Sequence, residues 1–179
     1  GVVSDFYIDD FTLVPQGSAE VDFSNIDGRR RARAGGESLR QAAGRCELRM
    51  ICVIQRVKHS QLHIDGALHA DISQGLLALV GLEKGDDERS LGKMLDKLLA
   101  YRVFADAEGK MNLSLRDIAG DLLLVSQFTL AADTQKGLRP GFSSALPPAE
   151  AKPLFENMVQ EAVARHPNTQ SGVFGADMQ

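Results

Sequence analysis

The sequence predicts a mixed α and β domain over residues 50–179, preceded by an extension of different character over 1–49. Three observations carry this. At Met50 a stretch rich in Arg, Gly and Ala gives way to the β-rich run Ile51-Cys52-Val53-Ile54-Gln55-Arg56-Val57. Short apolar segments bounded by Gly, Asp and Asn follow, as strands and tight turns require. Two longer stretches carry apolar residues at helical spacing.

The elements read in order. Asp5 to Val14 has the texture of one β-strand, broken by Pro15-Gln16-Gly17-Ser18. It weakly resembles the closing strand of jelly-roll carbohydrate-binding modules, and a single strand cannot build a sandwich. Gly28 to Arg49 has little apolar content and reads as a disordered linker. After the strand at Ile51, Gln61-Leu62-His63-Ile64 and Ala67-Leu68-His69-Ala70 flank Asp65-Gly66, a two-residue hairpin turn. Gly75 to Leu82 is a third strand. Lys84-Gly85-Asp86-Asp87 is a loop closing on a helix cap. Leu91, Met94, Leu95, Leu98, Leu99 and Tyr101 then fall on one helical face, opposite Lys93, Asp96 and Lys97. Gly92 weakens that helix by about 1 kcal/mol relative to Ala. Phe104 to Lys110 reads as a turn and Met111 to Leu115 as a short strand. Leu122-Leu123-Leu124-Val125 reads as a strand buried on both faces. Pro147-Pro148 opens a second helix with Leu154, Phe155, Met158, Val159 and Val163 on its apolar face. Pro153 is expected within its first turn or so, and His166-Pro167 ends it. The tail from Asn168 begins like a strand.

Bulk properties exclude several classes. With 179 residues, 44% hydrophobic and 25% charged, the chain suits one soluble domain with an appendage. Its apolar runs are too short to span a bilayer, and the start shows no basic n-region or apolar h-region. Cys46 and Cys52 lack metal-ligand or CxxC spacing and read as reduced thiols, which points to the cytoplasm. His59, His63, His69 and His166 form no HExxH pattern. No metal or cofactor is expected. Charge is uneven: residues 1–28 hold six acids and no Lys or Arg, and residues 29–49 hold seven Arg against two Glu. Residues 50–179 hold 13 basic against 16 acidic residues, so any RNA contact of this part has to be local. The Arg-rich run reads alternatively as an RNA-binding arm.

The most informative stretch is Ser126-Gln127-Phe128-Thr129-Leu130, at the end of the doubly buried strand. Small polar groups, main-chain N–H donors and an aromatic wall at a sheet rim are the parts of a ligand pocket. A core strand running into a polar turn gives the same pattern. Gln127 can both donate and accept at an ester, while Phe128 reads as core or as ligand platform. The basic loop that follows, with Lys136 and Arg139, is a phosphate contact or a solvated turn. Asp106 and Asp133 read as turn or cap residues.

Five segments occur in one order: Met50-Ile51-x-x-Ile54-Gln55-Arg56-Val57, Tyr101-Arg102-x-Phe104-x-Asp106-x-x-Gly109-Lys110-Met111-Asn112, Ser126-Gln127-Phe128-Thr129-Leu130-Ala131-Ala132-Asp133, Arg139-Pro140-x-Phe142, and Thr169-Gln170-x-Gly172-x-Phe174-Gly175-Ala176-x-Met178. Together they resemble the D-aminoacyl-tRNA deacylase family, over residues 50–179, with 1–49 outside it. Met50 stands where a family member would begin. The resemblance implies an α+β fold of two facing β layers with flanking helices, working as a homodimer. It implies hydrolysis of the ester between a D-amino acid, or glycine, and the terminal adenosine of tRNA, with the pocket at the dimer interface. Ser126, Gln127, Phe128 and Thr129 carry over as one pocket wall, and Phe174, Gly175, Ala176 and Met178 as another. Arg56 matches a position that braces the site across the interface. The family's second signature, Asn-x-Pro-x-Thr with a Gly-cisPro pair that screens out L-amino acids, is expected beyond Met178 and is not in the sequence. The expectation is a C-terminally truncated domain with weakened chiral selection.

Two mechanisms suit this reaction. Thr129 as nucleophile requires a nearby base, and no His lies near it in sequence. The resemblance favours the other: the tRNA 2′-OH assists a water, while N–H groups around Gln127-Phe128-Thr129 hold the carbonyl. A non-catalytic dimeric remnant and a fusion carrying a carbohydrate-binding fragment in residues 1–14 are the competing readings.

Overall fold

The computed structural model describes residues 50–133 and 139–179. The expected strand at 5–14, the Arg-rich linker, Cys46 and Lys136 lie outside the described residues.

A four-stranded sheet is the centre of the fold. It consists of β1 (Ile51–Val57), β4 (Gly75–Gly81), β7 (Asp121–Ser126) and β8 (Thr169–Ser171), in that spatial order. β1 runs antiparallel to β4, whereas β4, β7 and β8 are mutually parallel neighbours. Parallel strands are covered on both faces, and the alternation of side chains shows how. Leu76, Ala78, Val80, Leu122 and Leu124 face one cluster, which also contains Leu91, Leu95, Leu98 and Leu99 of α1 (Glu88–Ala100) and Ala151, Phe155, Met158 and Ala162 of α2 (Pro148–Arg165). Leu77, Leu79, Leu123 and Val125 face a second cluster with Leu62, Ala70, Ile72 and Met178. That face is covered by the hairpin of β2 (Ser60–Ile64) and β3 (Ala67–Ile72). The architecture is therefore α+β, with two β layers and helices on the far side of the larger one.

Local signals account for the element ends. Asp65 and Gly66 have φ of 52° and 77°, the left-handed pair a two-residue hairpin needs. Asp87 caps α1 through a reciprocal box: its carboxylate accepts from the Ser90 N–H at 2.8 Å, and Ser90 Oγ accepts from the Asp87 N–H at 2.9 Å. His166 ends α2, and its buried Nε2–H donates to the Gly120 carbonyl at 2.7 Å. Gly92 sits where α1 meets α2: Arg165 donates to its carbonyl at 3.1 Å and also pairs with Asp96 and Glu161. A Cβ there would press on the guanidinium at 3.3 Å.

Four expectations change. Tyr101 lies just past α1 and is 59% exposed, because the helix has ended and the chain turns out. Val163 is 44% exposed, and Ala151 and Ala162 take the close contacts instead. Pro153 lies in the second turn of α2, inside the helix. Phe104 is buried and, with Ala105, forms β5, which pairs with β6 (Met111–Leu113). The turn between them is held by Asp106, whose carboxylate accepts from the Glu108 and Lys110 N–H groups and from Asn112.

Candidate active site

β7 delivers the Ser126 segment to one end of the sheet. Ser126 is its last residue and stands beside Val80. The Gln127 N–H continues the ladder by donating to the Val80 carbonyl at 2.8 Å. The chain then tightens into a single 3-10 turn, Phe128–Ala131, with the Leu130 N–H donating to the Gln127 carbonyl at 3.3 Å. Gly81 makes room for it. A Cβ there would come within 2.8 Å of the Leu130 Cβ and 3.1 Å of the Gln127 carbonyl oxygen.

This turn exposes what the sequence suggested. Phe128 is 61% exposed, so it is not a core side chain. Phe142 meets it edge-on. Gln127 Nε2 donates to Thr129 Oγ1. The Phe128 and Thr129 N–H groups donate to no backbone acceptor among the described residues. The Gln127 N–H is already used by the ladder, which narrows the expected donor set to those two. No His, Asp, Glu or Lys of the described residues hydrogen-bonds to Thr129.

The second predicted wall leaves the sheet at the same end. β8 runs parallel to β7, and the Gly172 N–H extends the pairing to the Leu124 carbonyl at 2.8 Å. The chain then turns, with Gly175 at φ 78° and the Ala176 N–H donating to the Val173 carbonyl at 3.2 Å. Phe174 packs against Phe155 of α2 at 6.3 Å between ring centroids. Met178 is buried against the hairpin and bridges to Ile64, beneath Gly172, where a Cβ would lie 2.5 Å from its sulfur. One anchor thus lies on each face of the four-stranded sheet. Ligands of sheets with parallel strands commonly bind outside the carboxyl ends of those strands, and both segments lie there.

Arg56 is elsewhere. It stands beside Leu76, at the start of β4, whereas Ser126 stands beside Val80 near its end. Four residues of strand, about 13 Å, separate the two rungs. Arg56 Nη1 donates to the Val103 carbonyl at 2.9 Å. Within one chain the structure does not bring Arg56 to the Ser126 segment.

The loop after the turn is closed at its base by paired backbone bonds between Asp133 and Gly141, 2.7 and 2.9 Å. Arg139 is exposed on it. Ser144 Oγ donates to the Ala131 carbonyl at 2.7 Å, tying the return of the loop to the 3-10 turn. Phe142 belongs to the Arg139-Pro140-x-Phe142 segment, and nothing local in the sequence assigns it to the Phe128 ring. Its spacing after the loop is the one signal that marks it.

Among the described residues, no three His, Cys, Asp or Glu side chains converge as metal ligands. A cavity of about 290 Å³ between the starts of α1 and α2 is lined by Asp86, Glu88, Leu146, Glu150, Pro153, Leu154 and Asn157, none of them a sequence-predicted site residue. No helix among the described residues is long and apolar enough to cross a membrane.

Solved structures share this fold. One described as a c-Myc DNA unwinding element binding protein matches with a TM-score of 0.68 and 32% identity, over 72% of this chain and 87% of its own. One described as a probable eukaryotic D-amino acid tRNA deacylase matches with a TM-score of 0.62 over 73% of this chain and 92% of its own; at 14% identity the likeness is one of fold. The class is thus an α+β fold in which one sheet is covered by helices on one face and by a hairpin on the other. A model of the D-Tyr-tRNA(Tyr) deacylase family matches residues 53–179, and the chain belongs to that family. A D-aminoacyl-tRNA deacylase of Ectopseudomonas mendocina is 57% identical over 130 residues, 73% of this chain and 90% of the relative. One of Azotobacter vinelandii is 58% identical over the same shares.

Proposed function

We propose that the chain hydrolyses the ester that joins a D-amino acid, or glycine, to the 3′-terminal adenosine of tRNA, recycling mischarged tRNA. The observation that carries this is the pair of adjacent N–H groups, Phe128 and Thr129, at the end of β7, which have no backbone acceptor among the described residues. In ester hydrolysis the carbonyl oxygen gains negative charge as water adds. Two fixed donors aimed at that oxygen stabilise the tetrahedral state without reorganising, and losing one such donor typically costs about 10²–10³ in rate. Gln127 and the exposed Phe128 ring border the same turn and suit the ester and the adenosine. Ser126 sets where the turn begins. The 2′-OH beside the ester assists the attacking water, and Thr129 Oγ1, engaged by Gln127, is a positioning group rather than a nucleophile. Phe174, Gly175, Ala176 and Met178 form the facing wall.

The working form is a homodimer in this reading. Arg56 is remote from its own Ser126 segment, so it braces the pocket of a second copy. The outer edge of β1 pairs with no described strand and carries Ile51 and Val53, 36% and 45% exposed, which suits burial against that copy. The chain is expected to work in the cytoplasm, where charged tRNA is found.

The test is deacylation of D-Tyr-tRNA by wild type and Thr129→Ala. Wild type is expected to release D-tyrosine, and Thr129→Ala to keep activity within about tenfold. A loss of about a thousandfold or more, the scale of a removed nucleophile, would overturn the water mechanism. Failure of wild type on D-Tyr-tRNA would overturn the function.

A further inference from the structure

We propose that the outer face of α1 is a docking strip for the phosphate backbone of the tRNA, formed by Arg89, Lys93 and Lys97. The proposal rests on the deacylase reading for its choice of RNA.

These three residues are four apart, so they rise about 6 Å at each step and stay within about 80° of the helix circumference. All three are exposed. The arc they cover points directly away from the buried face of Leu91, Leu95, Leu98 and Leu99. Of the two acids of α1, Asp96 borders that arc, about 20° from Arg89 around the helix. Asp96 is turned toward α2, where Arg165 pairs with it at 3.2 Å, and Glu88 lies on the far side. None of the three cations forms an ion pair among the described residues. The strip is thus a line of three cations, without an ion pair among the described residues, on a domain whose residues 50–179 carry an excess of acid.

The strip also lies in a useful direction. β4 ends where the Val80 carbonyl accepts from Gln127, and α1 begins seven residues after Gly81. The loop between them is tied back to the site, since the Lys84 N–H donates to the Ser144 carbonyl at 2.9 Å and Ser144 Oγ reaches the Ala131 carbonyl. Arg89 is therefore nearest the site end of the sheet, and Lys93 and Lys97 lead away from it. A nucleic acid whose 3′ terminus sits at the Phe128 turn has its backbone leaving in some direction, and this strip is charged to receive it. Phosphate contacts of this kind hold register and add affinity without reading sequence.

The experiment compares the full chain with Arg89→Gln/Lys93→Gln/Lys97→Gln, and with the charge-keeping Arg89→Lys/Lys93→Arg/Lys97→Arg. It measures kcat and KM on D-Tyr-tRNA over a salt series, hydrolysis of the D-tyrosyl ester of adenosine, and filter binding of uncharged tRNA. The Gln variant should raise KM on D-Tyr-tRNA about tenfold at low salt and leave kcat unchanged. It should flatten the log–log salt slope by about two units, at about 0.7–0.9 for each phosphate no longer neutralised. It should act on the adenosine ester as wild type does, and the charge-keeping variant should match wild type throughout. Equal KM and equal salt slope in the Gln variant would overturn the proposal, and so would an equal loss on the adenosine ester. If wild type hydrolyses neither substrate, the deacylase reading fails. Filter binding then decides the strip alone: a flattened slope for the Gln variant supports it and an unchanged slope overturns it.

Discussion

The ring of Phe142 meets that of Phe128 edge-on, with centroids 5.2 Å apart and planes at 61°. Phe128 is the more exposed of the two, and the Asp133–Gly141 bonds place Phe142 at the foot of the intervening loop. An edge-to-face pair is worth about 0.5–1.5 kcal/mol beyond its buried area. If Phe128 is the wall against which the adenosine rests, Phe142 fixes its angle. Phe142→Ala is expected to raise KM for D-Tyr-tRNA about 2- to 12-fold, the same energy as a ratio, with kcat held. Steady-state kinetics beside Phe142→Tyr, which keeps the ring, checks it.

Gly81 leaves the room into which the 3-10 turn of the site fits. A methyl group there has to displace the Leu130 Cβ or the Gln127 carbonyl, both part of the turn that carries the donors. Gly81→Ala is expected to cost about 1–3 kcal/mol of stability and to lower kcat about 100-fold, because catalytic geometry tolerates little displacement. Urea unfolding and single-turnover deacylation separate the two effects. Stability loss with unchanged kcat would show that the turn's position is immaterial.

Acid should loosen the fold through Asp117. Its carboxylate accepts from the Ser114 hydroxyl at 2.6 Å and the Ser114 N–H at 2.8 Å, and these bonds hold its pKa below the ordinary 3.8. A depressed folded pKa means the contribution is present in full above the unfolded value and disappears as pH falls through the folded one. The urea midpoint of wild type should therefore fall as pH drops below about 4, and Asp117→Asn should flatten part of that fall. A parallel decline in both proteins would remove Asp117 from the account.

Cys52 shares a rung with Val80 and Ser126, and burial pushes its thiol up to about 12. Little thiolate exists at neutral pH. In a Cys46→Ser background, Cys52 should resist iodoacetamide at pH 8 while the protein is folded and react at once in denaturant. Rapid labelling of the folded protein would contradict this.

The parts of the fold read correctly from sequence depend on neighbours in the chain. Asp65-Gly66 sets its own hairpin, Asp87 caps its own helix, and four apolar residues at Leu122–Val125 demand cover on both faces. The misread parts depend on distant contacts. Helical periodicity marks Val163 as apolar-facing but cannot say how wide the contact with the sheet is, and Ala162 fills it. The candidate site divides the same way. The order of motifs brings out Ser126–Thr129 and Phe174–Met178, and both segments leave the sheet at one end. The separation of Arg56 from them follows from strand register, which no local signal encodes. The same holds for the Phe142 contact and the room left by Gly81.

The two parallel pairings, β4 with β7 and β7 with β8, join segments more than 40 residues apart in sequence. Each closes a long loop before any of its contacts can form, and such topologies fold slowly, on the order of milliseconds to seconds. Both edges of the candidate pocket hang from those pairings. During synthesis on the ribosome, the hairpin of β2 and β3 can settle early, while the pocket waits for the last dozen residues of this sequence to emerge.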